Sequence, residues 1–325
     1  MLQYDVVIVG GGPIGLACAI AAQQKGLKYV VVEKGCLVNS IYGYPTNMTF
    51  FSTSEKLEIG NIPFVSNNNK PTRAEALEYY RRTAIAHQLN IQLFEPVTKI
   101  ENKQHVFEIT TTKQQYNAQF VIIATGFYDL PFLLNVPGEA LPKVVHYYKD
   151  PHFYAMQQVL VVGAQNSAID AALETYRKGA KVTLVIRGSE VGERVKYWVR
   201  PDVMNRIAEG AIKVYYNTTV KEILPTEVIL QTPDGIETIP NDFVLALTGY
   251  QPNLQFLEDA GVTLSNDAIK KPTYNENTHE TNVPNLFLAG VICGGMDTHS
   301  LFIENSRVHA TAIIETIVGR LTLAH

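Results

Sequence analysis

The chain is poor in cysteine. Its 325 residues hold three, Cys18, Cys36 and Cys293, none near another in sequence. No Cys-x-x-Cys occurs, which excludes a redox dithiol and a zinc knuckle; no metal set is read, and three scattered thiols do not make a disulfide framework. Long apolar runs are also lacking. The stretch Tyr4 to Val9 is short and runs at once into glycines, and no run approaches the roughly 20 residues of a membrane helix, so no membrane association is expected and the soluble cytoplasm is the expected compartment. Nor is there an excess of positive charge. Lys and Arg number 27 against 31 Asp and Glu, a formal net charge of -4, which argues against a broad nucleic-acid surface. What is present is a 46% hydrophobic, 18% charged composition, suited to globular cores, in a chain long enough for two domains.

The opening residues read as strand, turn, helix and strand. Asp5-Val-Val-Ile-Val9 is a continuous apolar run, as a strand buried on both faces should be. Gly10 to Gly15 is a tight turn, Leu16 to Gln24 a helix stopped by Gly26, and Tyr29 to Glu33 the next strand. A similar unit recurs mid-chain: strand Val159 to Val162, turn Gly163 to Ala168, helix Ile169 to Arg177, strand Val182 to Ile186. Two such units predict two nucleotide sites in an α/β fold of two Rossmann-like three-layer domains. Two later apolar runs, Phe120 to Gly126 and Phe243 to Gly249, end alike, and a strand rejoining each sheet beside its glycine turn accounts for both. Leu130-Pro131, Val136-Pro-Gly138 and Asp150-Pro151 mark an interdomain crossing. Val283 to Gly290 predicts a further strand. Ser300 to Val318 predicts one helix, with Leu301, Phe302, Ile303, Val308, Ala312 and Ile313 on its apolar face.

The first turn has the spacing Gly10-x-Gly12-x-x-Gly15. Gly10 allows the sharp bend, Gly12 lets backbone approach a pyrophosphate, and Gly15 lets helix and strand pack closely. The helix N-terminus offers amide hydrogens to phosphate. Glu33, ending the second strand, accepts from a ribose diol and would repel a 2′-phosphate. In the second turn Gly163, Gln165 and Ala168 occupy the three positions. Asn166 and Ser167 can donate to phosphate oxygens, with the Gln165 side chain turned away. Arg187 stands where Glu33 stands in the first unit and suits a 2′-phosphate, so NADPH is favoured over NADH, with Arg194 adding to the same pocket.

His146, in His146-Tyr-Tyr-Lys149, reads equally as a proton donor near the chemistry and as a hydrogen-bonded core or hinge histidine. Tyr42, Tyr44, Phe50 and Phe51 are either ring-facing or core aromatics. Cys293 reads as a small buried hydrophobe.

Together, Gly10 to Gly15, Glu33, Ala124-Thr-Gly126, Val136-Pro-Gly-Glu139, Gly163 to Ala168, Thr248-Gly249 and Thr281 to Gly290 resemble the two-domain flavoproteins of the thioredoxin reductase type over essentially the whole chain. Within that group Asn39 to Thr46, Thr49 to Gly60, His146-Tyr-Tyr and Phe302-Ile-Glu-Asn305 are similar to the bacillithiol disulfide reductase family. The resemblance implies FAD and NADPH as cofactors. It places an FAD-binding domain at residues 1–127 and 252–325 around an NADPH-binding domain at 128–251. It implies FAD contacts from Gly10, Gly12, Pro13, Ile14, Gly15, Glu33, Lys34, Asn39, Ser40, Tyr44, Ala124, Thr125, Gly126, Gly290 and Val291, and NADPH contacts from Gly163, Gln165, Asn166, Ser167, Arg187, Arg194 and Gly249. It also implies a homodimer.

Three positions depart from the pattern. His146 and Lys149 stand where thioredoxin reductases have their dithiol, which excludes dithiol relay to thioredoxin. Ile14 stands where bacillithiol-type enzymes carry a cysteine, and Val291 where many relatives have Asp, leaving that contact to backbone amides. The expected activity is electron transfer from NADPH through flavin to a low-molecular-weight disulfide or other small acceptor. The alternatives are a ferredoxin–NADP reductase-like electron transferase, serving a small electron carrier, and a flavin-bound or nucleotide-binding sensor without turnover.

Overall fold

A computed structural model describes residues 2–103 and 106–323. The chain divides into two compact units: Met1–Gly43, Met48–Leu130 and Gln251–His325 form the first, and Tyr44–Asn47 with Pro131–Tyr250 the second.

In the first unit β1 (Leu2–Val9) leads through the glycine turn into α1 (Pro13–Gln24) and β2 (Tyr29–Val32). Next come the short α2 (Asn39–Gly43), α3 (Arg73–Ala86), β3 (Ile91–Gln92), β4 (Val97–Lys103), β5 (Val106–Thr111) and β6 (Gln115–Ile123). The sheet runs β3-β2-β1-β6-β5-β4. β1 lies parallel to β2 and, over its whole length, to β6. The far side of β6 is shared. Its first half pairs antiparallel with β5, and Val121 to Ile123 pair parallel with a strand from near the other end of the chain.

β1 is buried on both faces, which is why it reads as an unbroken apolar run. Ile8 lies under the start of α1. Val7 and Val9 pack in a core with Val30, Val32, Leu254, Leu257 and Ile292. A sheet covered on both sides in this way makes three layers.

The chain leaves the first unit at β7 (Leu130–Pro131). The second unit holds β8 (Val144–Val145), β9 (Gln158–Val162), α4 (Asn166–Arg177), β10 (Lys181–Val185), α5 (Arg200–Ala208) and β11 (Lys213–Tyr215). It continues with β12 (Thr219–Ile223), β13 (Glu227–Thr232), β14 (Gly235–Pro240) and β15 (Phe243–Ala246). Its parallel sheet runs β11-β10-β9-β15-β8, and β12-β13-β14 form an antiparallel sheet. Val159 and Val161 pack with Ala168, Ile169 and Ala172 of α4. On the other face Leu160 and Val162 meet Val220, Val228 and Leu230 of the antiparallel sheet. Val136 to Gly138 and Asp150-Pro151 fall inside this unit rather than at the crossing.

The chain returns through β16 (Tyr250–Gln251) to α6 (Leu254–Asp259), β17 (Leu286–Leu288), α7 (Ile303–Ser306) and α8 (His309–Leu323). The expected strand Val283 to Gly290 is shorter, and the single helix expected over Ser300 to Val318 is two. Phe302 N–H donates to Asn305 Oδ1, and the Arg307 guanidinium donates to the Glu55 and Glu58 carbonyls. One local bond and two from residues remote in sequence hold α7 as a separate turn. The buried face of α8 is Ala310, Ile313, Ile314 and Ile317, whereas Phe302 and Val308 are exposed.

Candidate dinucleotide sites

The glycine turn of the first unit is built by close approach. Gly10 has φ +110°, and a Cβ there would meet the Ala124 carbonyl oxygen at 2.5 Å. A Cβ on Gly15 would lie 1.9 Å from the Gly10 oxygen. Gly12 differs. Its backbone is ordinary extended chain, and a Cβ would meet nothing within 4 Å. Packing does not require a glycine there, so the open space is what the glycine preserves. The amides of Gly12, Ile14 and Gly15 have no acceptor among the described residues, and no side chain caps α1. A twelve-residue helix thus begins with unbonded N–H groups beside the open space at Gly12, the donor set a pyrophosphate needs.

Glu33 closes the site's other wall. Its carboxylate accepts from Gly11 N–H at 2.6 Å and Gly35 N–H at 2.8 Å. Burial pushes its pKa above the usual carboxylate range, against the pull of those two amides and of Lys34. Each oxygen keeps a further lone pair, so acceptor capacity for a ribose diol remains. Lys34 pairs with Asp129 at 2.6 Å, and Asn39 accepts from the Cys36 thiol at 3.5 Å. Ser40 lies on the same short helix as Asn39. Val38, which the sequence does not flag, is buried with φ +48° and donates its N–H to the Gly11 carbonyl. A β-branched residue in the left-handed region is strained, and here it fixes the turn beside Glu33.

The strand ends converge on the same turn. Ala124 N–H donates to the Val9 carbonyl at 2.8 Å, bringing Ala124-Thr125-Gly126 beside Gly10. Gly290, with φ +86°, opens the turn Val291–Gly294, and a Cβ on it would touch Ile14 at 3.3 Å. Its N–H donates to His309 Nδ1 at 3.2 Å. Tyr44 belongs to the second unit, half-buried, its pKa raised to about 12 by burial and then by Tyr250. Tyr42 and Phe51 are exposed and Phe50 is buried, so these aromatics do not act as one group.

The second turn repeats the device. Gly163 has φ +142°, and its Cβ would lie 2.5 Å from the Leu247 oxygen and 2.9 Å from the Ala168 Cβ. The amides of Gln165, Asn166 and Ser167 have no acceptor among the described residues. The Gln165 side chain lies against Gly192, so it does not stand over the turn's glycine.

Asn166 does more than the sequence assigns it. It donates to the Arg194 carbonyl at 3.0 Å and accepts from Lys196 N–H at 2.8 Å. Lys196 pairs with Asp170 at 2.8 Å. These bonds hold the 192–196 loop against α4 and so set where Arg194 begins. The guanidinium groups of Arg187 and Arg194 are exposed and make no hydrogen bond or ion pair among the described residues. Two unspent guanidinium forks are suited to recognise a phosphomonoester. Gly249, φ +105°, packs on the Phe132 ring at the end of the neighbouring strand.

His146 is placed otherwise. Its Nε2 lies 3.4 Å from Glu139 Oε1, its Nδ1 is buried without a partner, and its carbonyl accepts from Tyr250. Glu139 also accepts the N–H groups of Leu134 and Asn135. His146 thus lies inside the second unit beside Glu139. Among the described residues no helix is long and apolar enough to cross a membrane.

Residues 7–290 match the family described as "Pyridine nucleotide-disulphide oxidoreductase". The chain belongs to this family. Among relatives of this pyridine nucleotide-disulphide oxidoreductase, "Bacilliredoxin reductase Bdr" of Bacillus subtilis (strain 168) is 44% identical over 322 residues, covering 98% of this chain and 99% of that protein. "Bacillithiol Disulfide Reductase Bdr (YpdA) from Staphylococcus aureus" superposes with a TM-score of 0.95 at 40% identity, over 98% of this chain and 99% of that one. "Ferredoxin--NADP reductase" of Ignicoccus hospitalis (strain KIN4/I / DSM 18386 / JCM 14125) is 25% identical over 298 residues, 89% of this chain and 90% of that protein. The chain is an oxidoreductase with the two-domain architecture of the thioredoxin reductases, and membership implies FAD and NADPH binding.

Proposed function

We propose that this oxidoreductase passes electrons from NADPH through FAD to a low-molecular-weight disulfide of the bacillithiol class. The observation that carries the reading is a pair of glycine-turn cradles in one chain. Both have unbonded amides; one is walled by Glu33 and the other by the unpaired Arg187 and Arg194. FAD, when bound, supplies hydride acceptance from the nicotinamide and electron delivery to the acceptor.

The residues divide the remaining work. Gly12, Ile14 and Gly15 amides hold the FAD pyrophosphate, and Glu33 holds its ribose. Ala124, Thr125, Gly126, Gly290 and Val291 line the cradle with backbone. Gln165, Asn166 and Ser167 amides hold the NADPH pyrophosphate, while Arg187 and Arg194 select the 2′-phosphate. The disulfide acceptor is supported by the full-length likeness to the two Bdr proteins. The working form is a homodimer in the cytoplasm, which light scattering on the purified protein and cell fractionation test.

A second reading, electron transfer to ferredoxin, is favoured by one observation. Ile14 puts no thiol in the glycine turn, and the chain also resembles a ferredoxin–NADP reductase. One experiment separates the two. The yellow protein is bleached with NADPH under anaerobic conditions and mixed with bacillithiol disulfide or with ferredoxin. Rapid reoxidation by the disulfide alone supports the proposal, and reoxidation by ferredoxin alone replaces it. A flavin that NADPH does not bleach leaves a nucleotide-binding protein without turnover.

A further inference from the structure

Three buried side chains outside both cradles converge in the first unit. His279 precedes β17, Cys293 lies in the turn that Gly290 opens, and His309 begins α8. One donor atom from each lies within 4.8 Å of the other two. Both histidines are 8% exposed and Cys293 is 0% exposed. The imidazoles stack with centroids 4.0 Å apart, and Tyr274 stacks on His279 at 5.8 Å. His279 Nδ1 is buried with no hydrogen-bond partner. A buried polar nitrogen left unpaired is costly, and it calls for a group that would satisfy it.

We propose that His279, Cys293 and His309 form a binding site for one soft monovalent cation of the Cu(I) kind. Thiolate with imidazole is the donor set of soft and borderline metals, and no carboxylate belongs to the cluster to recruit a hard one. Charge selects the valence. With neutral rings and one thiolate the site carries a single negative charge, which a monovalent ion cancels. A divalent ion would leave a net positive charge among Leu286, Leu288 and Ile292.

Binding converts the Cys293 thiol to a metal thiolate and releases one proton to solvent, with no change of oxidation state. At zinc-type bond lengths of about 2.1 and 2.3 Å, ligand atoms stand about 3.6 Å apart, so the three atoms draw together by up to about 1.2 Å and the stacked rings turn until both in-plane lone pairs meet the ion. His309 Nδ1 accepts from the Gly290 amide, so the neutral ring carries its proton on Nε2; an ion that binds the neutral ring takes Nδ1 and replaces the Gly290 bond.

The test uses the flavin-loaded protein, reduced and anaerobic, titrated with Cu(I) held by the coloured chelator bathocuproine disulfonate. One equivalent per chain should transfer, with X-ray absorption showing one sulfur and two imidazoles around copper. His279→Phe and Cys293→Ser should each weaken binding at least about 100-fold, beyond what loss of an outer-shell partner costs. Cys36→Ser should bind as wild type. Flavin content and melting are recorded for each variant. If Cys293→Ser does not fold, His279→Phe carries the decision. Copper kept by the chelator, binding lost in Cys36→Ser, or Zn²⁺ held more tightly than Cu(I) at the same residues overturns the assignment.

Discussion

Ile14 fills the space beside Gly290: a Cβ on Gly290 would lie 3.3 Å from Ile14 Cγ1. The glycine turn and the turn that Gly290 opens therefore come close at Ile14, the residue that the sequence resemblance sets against a cysteine. Ile14→Cys shortens that side chain and should cost about 1 kcal/mol of stability. It also places a nucleophile in the turn. The kcat/KM for bacillithiol disulfide should rise about tenfold or more, worth about 1.4 kcal/mol at the transition state. Equal rates for wild type and variant would show that position 14 does not limit the reaction.

Gly12 and Gly15 are separable by experiment. A methyl on Gly12 meets no protein atom, so Gly12→Ala should leave the melting temperature of the flavin-free protein unchanged while flavin retention falls. A methyl on Gly15 collides with the Gly10 oxygen. Gly15→Ala should destabilise even the flavin-free protein, by about 1–3 kcal/mol. Thermal melts of the two apoproteins beside their absorbance near the flavin band check both. Retained flavin in Gly12→Ala would remove the pyrophosphate from this turn.

If Arg187 and Arg194 read the 2′-phosphate as proposed, they act on one substrate and not on its close analogue. Each charge-assisted bond to a 2′-phosphate is worth about 1.5–3 kcal/mol. Arg187→Ala should therefore raise KM for NADPH by about ten- to a hundredfold and leave KM for NADH nearly unchanged. Arg194→Ala should act in the same direction. Parallel losses with both nucleotides would mean that the guanidinium groups support the loop rather than read the phosphate.

Glu75 links the stability of α3 to pH. Amides of Thr72 and Asn67 hold its carboxylate, and its pKa falls to about 2 from an ordinary 4.5. The folded form thus favours the charged state. This contribution is complete above pH 4.5 and is lost as pH falls toward about 2. Glu75→Gln should be less stable than wild type at pH 7, by about 1 kcal/mol or less given the site's solvent access, and equally stable near pH 2. Urea melts at the two pH values decide it.

What could be read in the sequence follows from how each part is buried. The strands around both turns lie in parallel sheets covered on two faces, so Val6 to Val9 and Val159 to Val162 announce themselves as apolar runs. Helix α3 carries its start signal in the sequence, the capping box Thr72-Arg-Ala-Glu75. The antiparallel strands β12 to β14 alternate buried and exposed residues over short spans, a pattern that competes poorly with turn composition. The break between α7 and α8 depends on Arg307 reaching the carbonyls of Glu55 and Glu58, remote in sequence. The meeting of His279, Cys293 and His309 is likewise tertiary. Arg187 and Arg194 were legible as residues, whereas the Asn166 clamp that sets Arg194 was not.

The sharing of β6 has a consequence for how the chain is made. Its inner half pairs with β17, and all of the second unit except Tyr44–Asn47 is synthesised between the two strands. On a ribosome working from the N-terminus, β8 to β15 can close their sheet as soon as they emerge. The nucleotide cradle around Gly10 waits with the outer side of Val121 to Ile123 unzipped until Leu286 to Leu288 are translated. The last portion of the polypeptide is thus the latch of the first domain to begin.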